Sequence, residues 1–473
     1  MKNLNNNFPS VFLPLFFLFL LLFAVNIKTF ILIMLGYGVA LFFFSSYRVP
    51  EIIFFLLLFS LPFEKGLRDW MVSVVPTGPE LWAPGYSFYF GITLKLILTC
   101  TSILFLIISA RHVRPHNAKA LYILFLFVFF SMISTLTSSD ITIAAIGFIR
   151  LLQACAIFVL GSYYIRKIPA MRGHFQNILI SFLIFFGAIG TIQFLSGQPL
   201  GLFLEDAQGL RPFGYLTSDT GPLYRVSGLF GHPTFFGSLL SFLIPVGITR
   251  WLSDRNKKGT ISKTLYGASV AVGCIAIAAS LSRGAWIAVF VCFSAILWKL
   301  SAEGRNVLMK KLLLLMISTL TILAILLGPQ LLARASTFTS LASLSSGRVR
   351  LDLMRQAVTI TGEYPFFGTG LNLFTQAMNA HDLPPEIKGF MYPVHNTFLL
   401  FFSELGIPAG VLFLVFTAYC LITSWKKAKQ NWENFGIWLG AVTFIINAQF
   451  QTLFNQDPTF DFFMVYLAFL TTL

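Results

Sequence analysis

The sequence predicts an all-α fold: a polytopic transmembrane bundle of about 12–14 helices, with one long outer loop that contains short helices. Three observations carry this expectation. The 473 residues are 56% hydrophobic and 11% charged, against about 45–50% and about 25% in soluble domains. Mean hydropathy is +0.80. Apolar runs near the length of a membrane span recur along the whole chain, with basic residues gathered in the stretches between them.

Taken in order, the apolar runs lie at 9–25, 28–46, 50–63, 89–109, 120–136, 141–164, 176–196, 233–250, 264–281, 284–299, 312–329, 396–424, 434–453 and 459–473. A helix needs about 20 residues to cross the hydrocarbon core. The 50–63 run is short, which leaves the first three segments unresolved. The stretch MKNLNNNFPSVFLPLFFLFLLLFAV resembles a signal peptide but has no convincing small-residue cleavage site, so it reads as an uncleaved first helix. The five cysteines, Cys100, Cys155, Cys274, Cys292 and Cys420, all fall inside apolar runs and form no CxxC pair. They read as small buried residues, with no disulfide framework and no cysteine metal site.

Basic loops set the orientation. RHVRPHNAK (111–119), RKIPAMR (166–172), RWLSDRNKKGTISK (250–263), KLSAEGRNVLMKK (299–311) and KKAK (426–429) fall on one side if the helices alternate. That side is expected to be cytoplasmic, with both termini on it. The net charge of +15 is thereby a matter of membrane orientation, and no nucleic-acid partner is implied. Two polar segments, 197–232 and 330–394, then face outward as the outer loops of a single integral membrane domain spanning 1–473. No internal repeat is visible, which argues against the two-half construction of many transporters.

The outer side carries arginines that the positive-inside rule does not explain: Arg68, Arg150, Arg211, Arg225, Arg283, Arg334, Arg348, Arg350 and Arg355. Guanidinium stays charged and presents a planar fork of donors that fits phosphate oxygens. A phosphorylated ligand on that side is one reading. Pairing with Glu205, Asp206, Asp352 and Glu363 is the other.

Wound as a helix, 348–361 puts Arg348, Asp352, Arg355 and Thr359 on one polar face, with Arg348 and Asp352 as an i,i+4 pair. Arg350 falls among Leu353, Met354, Ala357 and Val358, where it either snorkels or points into a site. Arg283, in SLSRGAWIAVF, occupies a tight turn at the outer boundary, as an anchor or a ligand group. Arg225 lies in RVSGLFGHPTFFG, where glycine and proline permit a turn and close backbone approach. Arg150 is deeper, in ITIAAIGFIRLLQACAIF, and is either functional or paired, for instance with Glu404. His395 and Asn396 stand at the start of the Phe- and Leu-rich segment HNTFLLFFSELGIPAGVLFLVF. His395 suits general-base work near neutral pH, and Asn396 either caps the helix or meets a sugar hydroxyl. The GTG of FFGTGLNLF is a plain turn or a backbone approach to phosphate. His232, His381, Asp382 and His395 have no recognised metal-site spacing, and no metal or cofactor is expected.

Together, RVSGLFGHPTFFG (225–237), SLSRGAWIAVF (280–290), the 350–374 segment and HNTFLLFFSELGIPAGVLFLVF (395–416) resemble the bacterial O-antigen ligase and O-antigen polymerase superfamily. The likeness covers 220–460. The family pattern has an arginine fifteen residues before the proline of a P-x-x-G-x-G element. Counting back from Pro365 gives Arg350, with Arg348 as a competitor directly after Gly347. The chain departs from the pattern at His232, where many relatives have Asn, and at Met354, where many have Trp.

The resemblance implies a metal-independent glycosyltransferase of the bacterial inner membrane, with its active site facing the periplasm. The donor it implies is a glycan on undecaprenyl pyrophosphate, and the acceptor is lipid A–core or another glycan. His395, Arg283 and Arg350 would be catalytic. Arg225, Arg348, His232, Asn396 and Arg150 would bind pyrophosphate or glycan. A polysaccharide polymerase of the same superfamily, or a lipid-linked glycan transporter, are the alternatives.

Overall fold

The computed structural model describes residues 49–62, 94–109, 117–168, 170–201, 215–218, 221–230, 232–253, 260–336, 341–388, 392–454 and 459–473. The runs expected at 9–25 and 28–46 lie outside the described residues.

The fold is helical, as the composition requires. In chain order the helices are α1 (Val49–Ser60), α2 (Leu94–Ser109), α3 (Ala118–Leu136), α4 (Ile141–Lys167), α5 (Met171–Ser196), α6 (Pro233–Ser253), α7 (Thr260–Ala279), α8 (Arg283–Ala302) and α9 (Asn306–Ser336). There follow α10 (Leu341–Glu363), the short α11 (Phe374–Met378) and α12 (Pro385–Lys388), then α13 (Thr397–Ala428), α14 (Trp432–Ala448) and α15 (Thr459–Thr471). Among the described residues seven helices are long and apolar enough to cross a membrane, and four shorter ones are apolar. The 197–232 segment adds a small antiparallel hairpin, β1 (Tyr215–Ser218) with β2 (Gly221–Tyr224), in the register Tyr215 to Tyr224. The 330–394 segment is more ordered than an outer loop with short helices, since α9 extends into it and α10 is 23 residues long.

Caps fix several helix starts. Asp140 accepts from Ile143 N at 3.0 Å before α4, and Asn431 accepts from Glu433 N at 2.8 Å before α14. Basic side chains close the opposite ends: Arg166 and Lys167 on α4, Arg250 on α6, Lys299 on α8, Lys426 and Lys427 on α13. Cations there oppose the negative end of each helix dipole. These ends meet one another. Lys299 donates to the Lys429 carbonyl at 2.5 Å and lies 4.8 Å over the Trp432 ring, and Arg250 pairs with Glu433.

The core is one continuous apolar cluster in which α6 is the most enclosed span. Phe rings do much of the filling; Phe444 and Phe463 stack at 4.0 Å. A smaller cluster, containing Leu353, Ala357, Ile360, Phe374, Met378, Val394 and Leu400, joins α10 and α11 to the start of α13. Within the main bundle a buried ion pair, Lys95 Nζ to Asp461 Oδ2 at 2.5 Å, ties α2 to α15.

Candidate active site

The helices α6, α8 and α13 all start at the end of the bundle opposite the basic one, and polar contacts lock these starts together. Ser238 of α6 donates to Asn447 Oδ1 near the end of α14 at 3.1 Å. Asn396 Nδ2 donates to Gln449 Oε1 at 3.1 Å, and Thr397 Oγ1 donates to the Gln451 carbonyl at 2.7 Å. Gly284 lies against Phe450, which a Cβ would meet at 3.3 Å. Thus His232 (just before α6), Arg283 (the first residue of α8) and His395 (just before α13) belong to one rim. Helix N-termini also carry positive dipole ends, so the rim favours anions before any side chain is counted.

Arg225 is brought to the same rim by backbone pairing. Val226 N donates to the Ala279 carbonyl at 3.2 Å, and Arg225 Nε donates to the Ser280 carbonyl at 3.0 Å. Gln193 clasps Gly228 from both sides, with both bonds at 2.8 Å. Gly228 has φ +57° and Phe236 fills the place where a Cβ would sit, which explains a glycine at this turn.

Arg350 approaches from α10. Its guanidinium is lowered from the ordinary arginine value by burial and by the charge of Arg283. His395 is pulled down to about 4 by burial first and then by Arg350, against the pull of the Pro393 carbonyl. His232 is pushed down to about 3 by burial, then Arg225, then His395. These influences link Arg225, His232, His395, Arg350 and Arg283 in one electrostatic cluster. The charges that shift its members are cations, a set that repels metal ions and calls for a polyanion. Among the described residues no group of three or more His, Cys, Asp or Glu side chains is arranged to hold a metal.

Both imidazoles are neutral at pH 7. The Thr234 backbone N–H donates to His232 Nδ1 at 3.3 Å, which puts the proton on Nε2; Thr234 Oγ1 lies 2.6 Å from Nδ1 and the ring stacks on Phe235 at 4.2 Å. His395 meets the Tyr392 ring edge-on at 6.1 Å, and its buried Nδ1 makes no hydrogen bond of normal geometry among the described residues.

A second junction sets the register of Arg350 against His395. Ile407 N donates to the Pro365 carbonyl at 2.8 Å, Thr369 N to the Ser403 carbonyl at 3.0 Å and Gly370 N to the Glu404 carbonyl at 2.8 Å. Gly406 breaks α13 with φ +83°, and a Cβ there would lie 2.4 Å from the Phe366 carbonyl oxygen. The fully buried Glu404 accepts from Phe374 N at 3.3 Å. The GTG element is therefore a backbone dock for the kink. Its Thr369 and Gly370 amides are engaged with α13, which answers the phosphate-approach reading of that turn.

The remaining expected site residues fall differently. Asn396 caps α13, accepting from Phe398 N at 3.0 Å and Leu399 N at 3.1 Å, so its oxygen is engaged in the fold. Arg348 is exposed, and Asp352, expected to pair with it, pairs with Arg355 at 2.9 Å instead. Arg150 is half-buried on α4, one turn beyond Gly147, which packs on Leu371 and Asn372. It is not among the charges that shift His232, Arg350 or His395. Sequence reasoning passed over Tyr392, Thr234, Gln193 and the docking role of Glu404. Tyr392 stands three residues before His395, but only the fold turns that spacing into contact.

No curated protein matches the chain. Residues 268–414 match the family model described as O-antigen ligase. The matched segment, under a third of the chain, holds Arg283, Arg350, the Pro365–Gly370 dock and His395.

Proposed function

We propose that the protein is a glycosyltransferase that moves a glycan from undecaprenyl pyrophosphate to an acceptor hydroxyl, that of lipid A–core, at the periplasmic face of the inner membrane. The observation that carries this reading is the electrostatic cluster of Arg225, Arg283, Arg350, His232 and His395 at the end of the bundle opposite the basic loops. A lipid pyrophosphate keeps its tail in the bilayer and offers its phosphates at such a rim.

In this mechanism His395 takes the proton from the acceptor hydroxyl as its oxygen attacks the anomeric carbon. The bond from that carbon to the pyrophosphate oxygen breaks, and the lipid pyrophosphate leaves with the electron pair. Proton removal by a positioned base contributes about 10²–10⁴-fold in rate. Arg225, Arg283 and Arg350 hold the growing negative charge. One such contact is worth about 4 kcal/mol at 4 Å and an effective dielectric near 20, before desolvation. Several fixed guanidiniums thus take the part a divalent cation plays elsewhere. His395 starts neutral and ready to accept. Donor binding offsets the Arg350 charge and raises its basicity as the proton is needed.

The test is an assay of purified protein with a lipid-pyrophosphate glycan and two acceptors, lipid A–core and a second glycan. Attachment to lipid A–core supports the reading. Elongation of the glycan alone replaces it with a polymerase, and no new glycosidic bond with either acceptor rejects it.

A further inference from the structure

Buried threonine and serine hydroxyls in this bundle mostly return to their own helix. Thr99 donates to the Lys95 carbonyl, Thr135 to that of Ser131, Thr249 to that of Pro245 and Ser424 to that of Cys420. Such a bond needs a helical carbonyl one turn back. A threonine that opens a helix has none, so its hydroxyl is available to another element. Thr397 opens α13 and Thr459 opens α15, and both are buried.

The two hydroxyls take hold of the same residue. Thr397 Oγ1 accepts from Leu453 N at 2.9 Å and donates to the Gln451 carbonyl at 2.7 Å. Thr459 Oγ1 donates to the Leu453 carbonyl at 3.0 Å. The backbone N–H and C=O of the fully buried Leu453 thus end on threonines from two different helices. Beside this clasp Phe454 meets Phe401 of α13 at 4.8 Å and Phe460 of α15 at 5.1 Å, both edge-on. In so apolar a setting each of the three bonds is stronger than it would be in water.

The α15 end of the clasp is itself fixed. Asp461, two residues after Thr459, holds the buried pair with Lys95 of α2. His395 stands two residues before Thr397, and its buried Nδ1 makes no hydrogen bond of normal geometry among the described residues. The main chain at the start of α13 therefore does most to place the ring.

We propose that Thr397 and Thr459 are positioning residues for the base: through Leu453 they hang the start of α13, and with it His395, from α15. The proposal rests on the glycosyl-transfer reading with His395 as the base, and it adds two residues that act only through where that base sits. A displaced base loses rate, whereas substrate affinity does not depend on it.

The experiment uses full-length protein in lipid nanodiscs, the lipid-pyrophosphate glycan and whichever of the two acceptors the wild type accepts. Valine matches threonine in shape and lacks the hydroxyl. Thr397→Val should lower kcat about ten- to hundredfold with both KM values unchanged. Thr397→Ser, which keeps the hydroxyl, should retain a kcat near the wild type. Thr459→Val should lower kcat in the same way from the other side of Leu453, and it carries the test if Thr397→Val does not accumulate in the membrane. Because both threonines act through one residue, the double valine variant should lose far less than the product of the two single losses. Thr443→Val, which removes a buried hydroxyl bonded within α14 to the Gly440 carbonyl, should keep the wild-type kcat. Wild-type kcat in the valine variants, a loss carried by KM, a loss that serine does not rescue, or single losses that multiply in full overturns the clasp. If His395→Ala is inactive alongside such a result, the glycosyl-transfer reading stands without the clasp. An active His395→Ala, or no transfer by the wild type to either acceptor, rejects that reading and the clasp with it.

Discussion

The charge of the Arg350 guanidinium, carried on α10, adds to burial in lowering the basicity of the His395 imidazole at the start of α13, and at neutral pH the two side chains hold one positive charge between them. That relationship gives His395 its readiness to accept a proton and makes its basicity responsive to an anion beside Arg350.

Replacing the base is the first consequence. His395→Ala should lower transfer by about 10²–10⁴-fold, the usual worth of a positioned general base. The variant should remain in the membrane at wild-type levels. Single-turnover transfer assays together with membrane fractionation measure both outcomes.

The pH dependence follows from the sign of the shift. A base works when unprotonated, and His395 in the free protein is pulled down to about 4. The kcat/KM profile should therefore stay level from neutral pH through pH ~6 and fall only on approach to about 4. Arg350→Gln removes a charge that opposes protonation. Its acid limb should move upward, toward the ordinary histidine value near 6.5. A limb that stays in place in the variant would separate Arg350 from His395.

Arg283→Lys keeps the charge but replaces a planar fork with a point charge. It should cost well over tenfold in kcat/KM, far more than its formal conservatism suggests. Titration of activity with added donor distinguishes this from a simple loss of affinity.

Gly406→Ala probes the dock between the two halves of the site. An alanine there must adopt φ +83° and place its Cβ 2.4 Å from the Phe366 carbonyl oxygen. Strain of this kind costs about 1–3 kcal/mol, and the overlap adds to it. Lower thermal stability in detergent and reduced kcat should appear together, because the same junction sets the register of Arg350 against His395.

Chelation should have no effect. If guanidiniums carry the pyrophosphate charge, EDTA leaves the rate unchanged. Inhibition reversed by a divalent metal would contradict arginine-based stabilisation.

Several of these features are legible in the sequence because they depend on local spacing. The helical wheel sets Arg350 apart from Arg348, the spacing to Pro365 that the family resemblance implies points to the same residue, and the fold half-buries Arg350 and exposes Arg348. The apolar runs, the basic loops and the turn around Arg283 are local in the same sense. What escaped depends on which surface a helix presents to its neighbours. Val358 reads as part of the buried arc with Leu353 and Ala357, yet it faces outward, because α13 covers only one side of α10. The Arg348–Asp352 pair is allowed by spacing, but Asp352 has Arg355 one turn on in the other direction and bonds to it instead. The glycines of GTG suggest phosphate from pattern alone. Their actual requirement, contact with a kinked helix more than thirty residues later, is tertiary.

The buried link between Lys95 and Asp461 has a temporal meaning. Its two members lie near opposite ends of the described chain, so during biosynthesis the lysine leaves the ribosome hundreds of residues before its carboxylate. A buried ammonium is costly without a counter-charge, and here that counter-charge is synthesised 366 residues after the lysine it matches, so this link joins the first turn of an early helix to the first turn of the last one described.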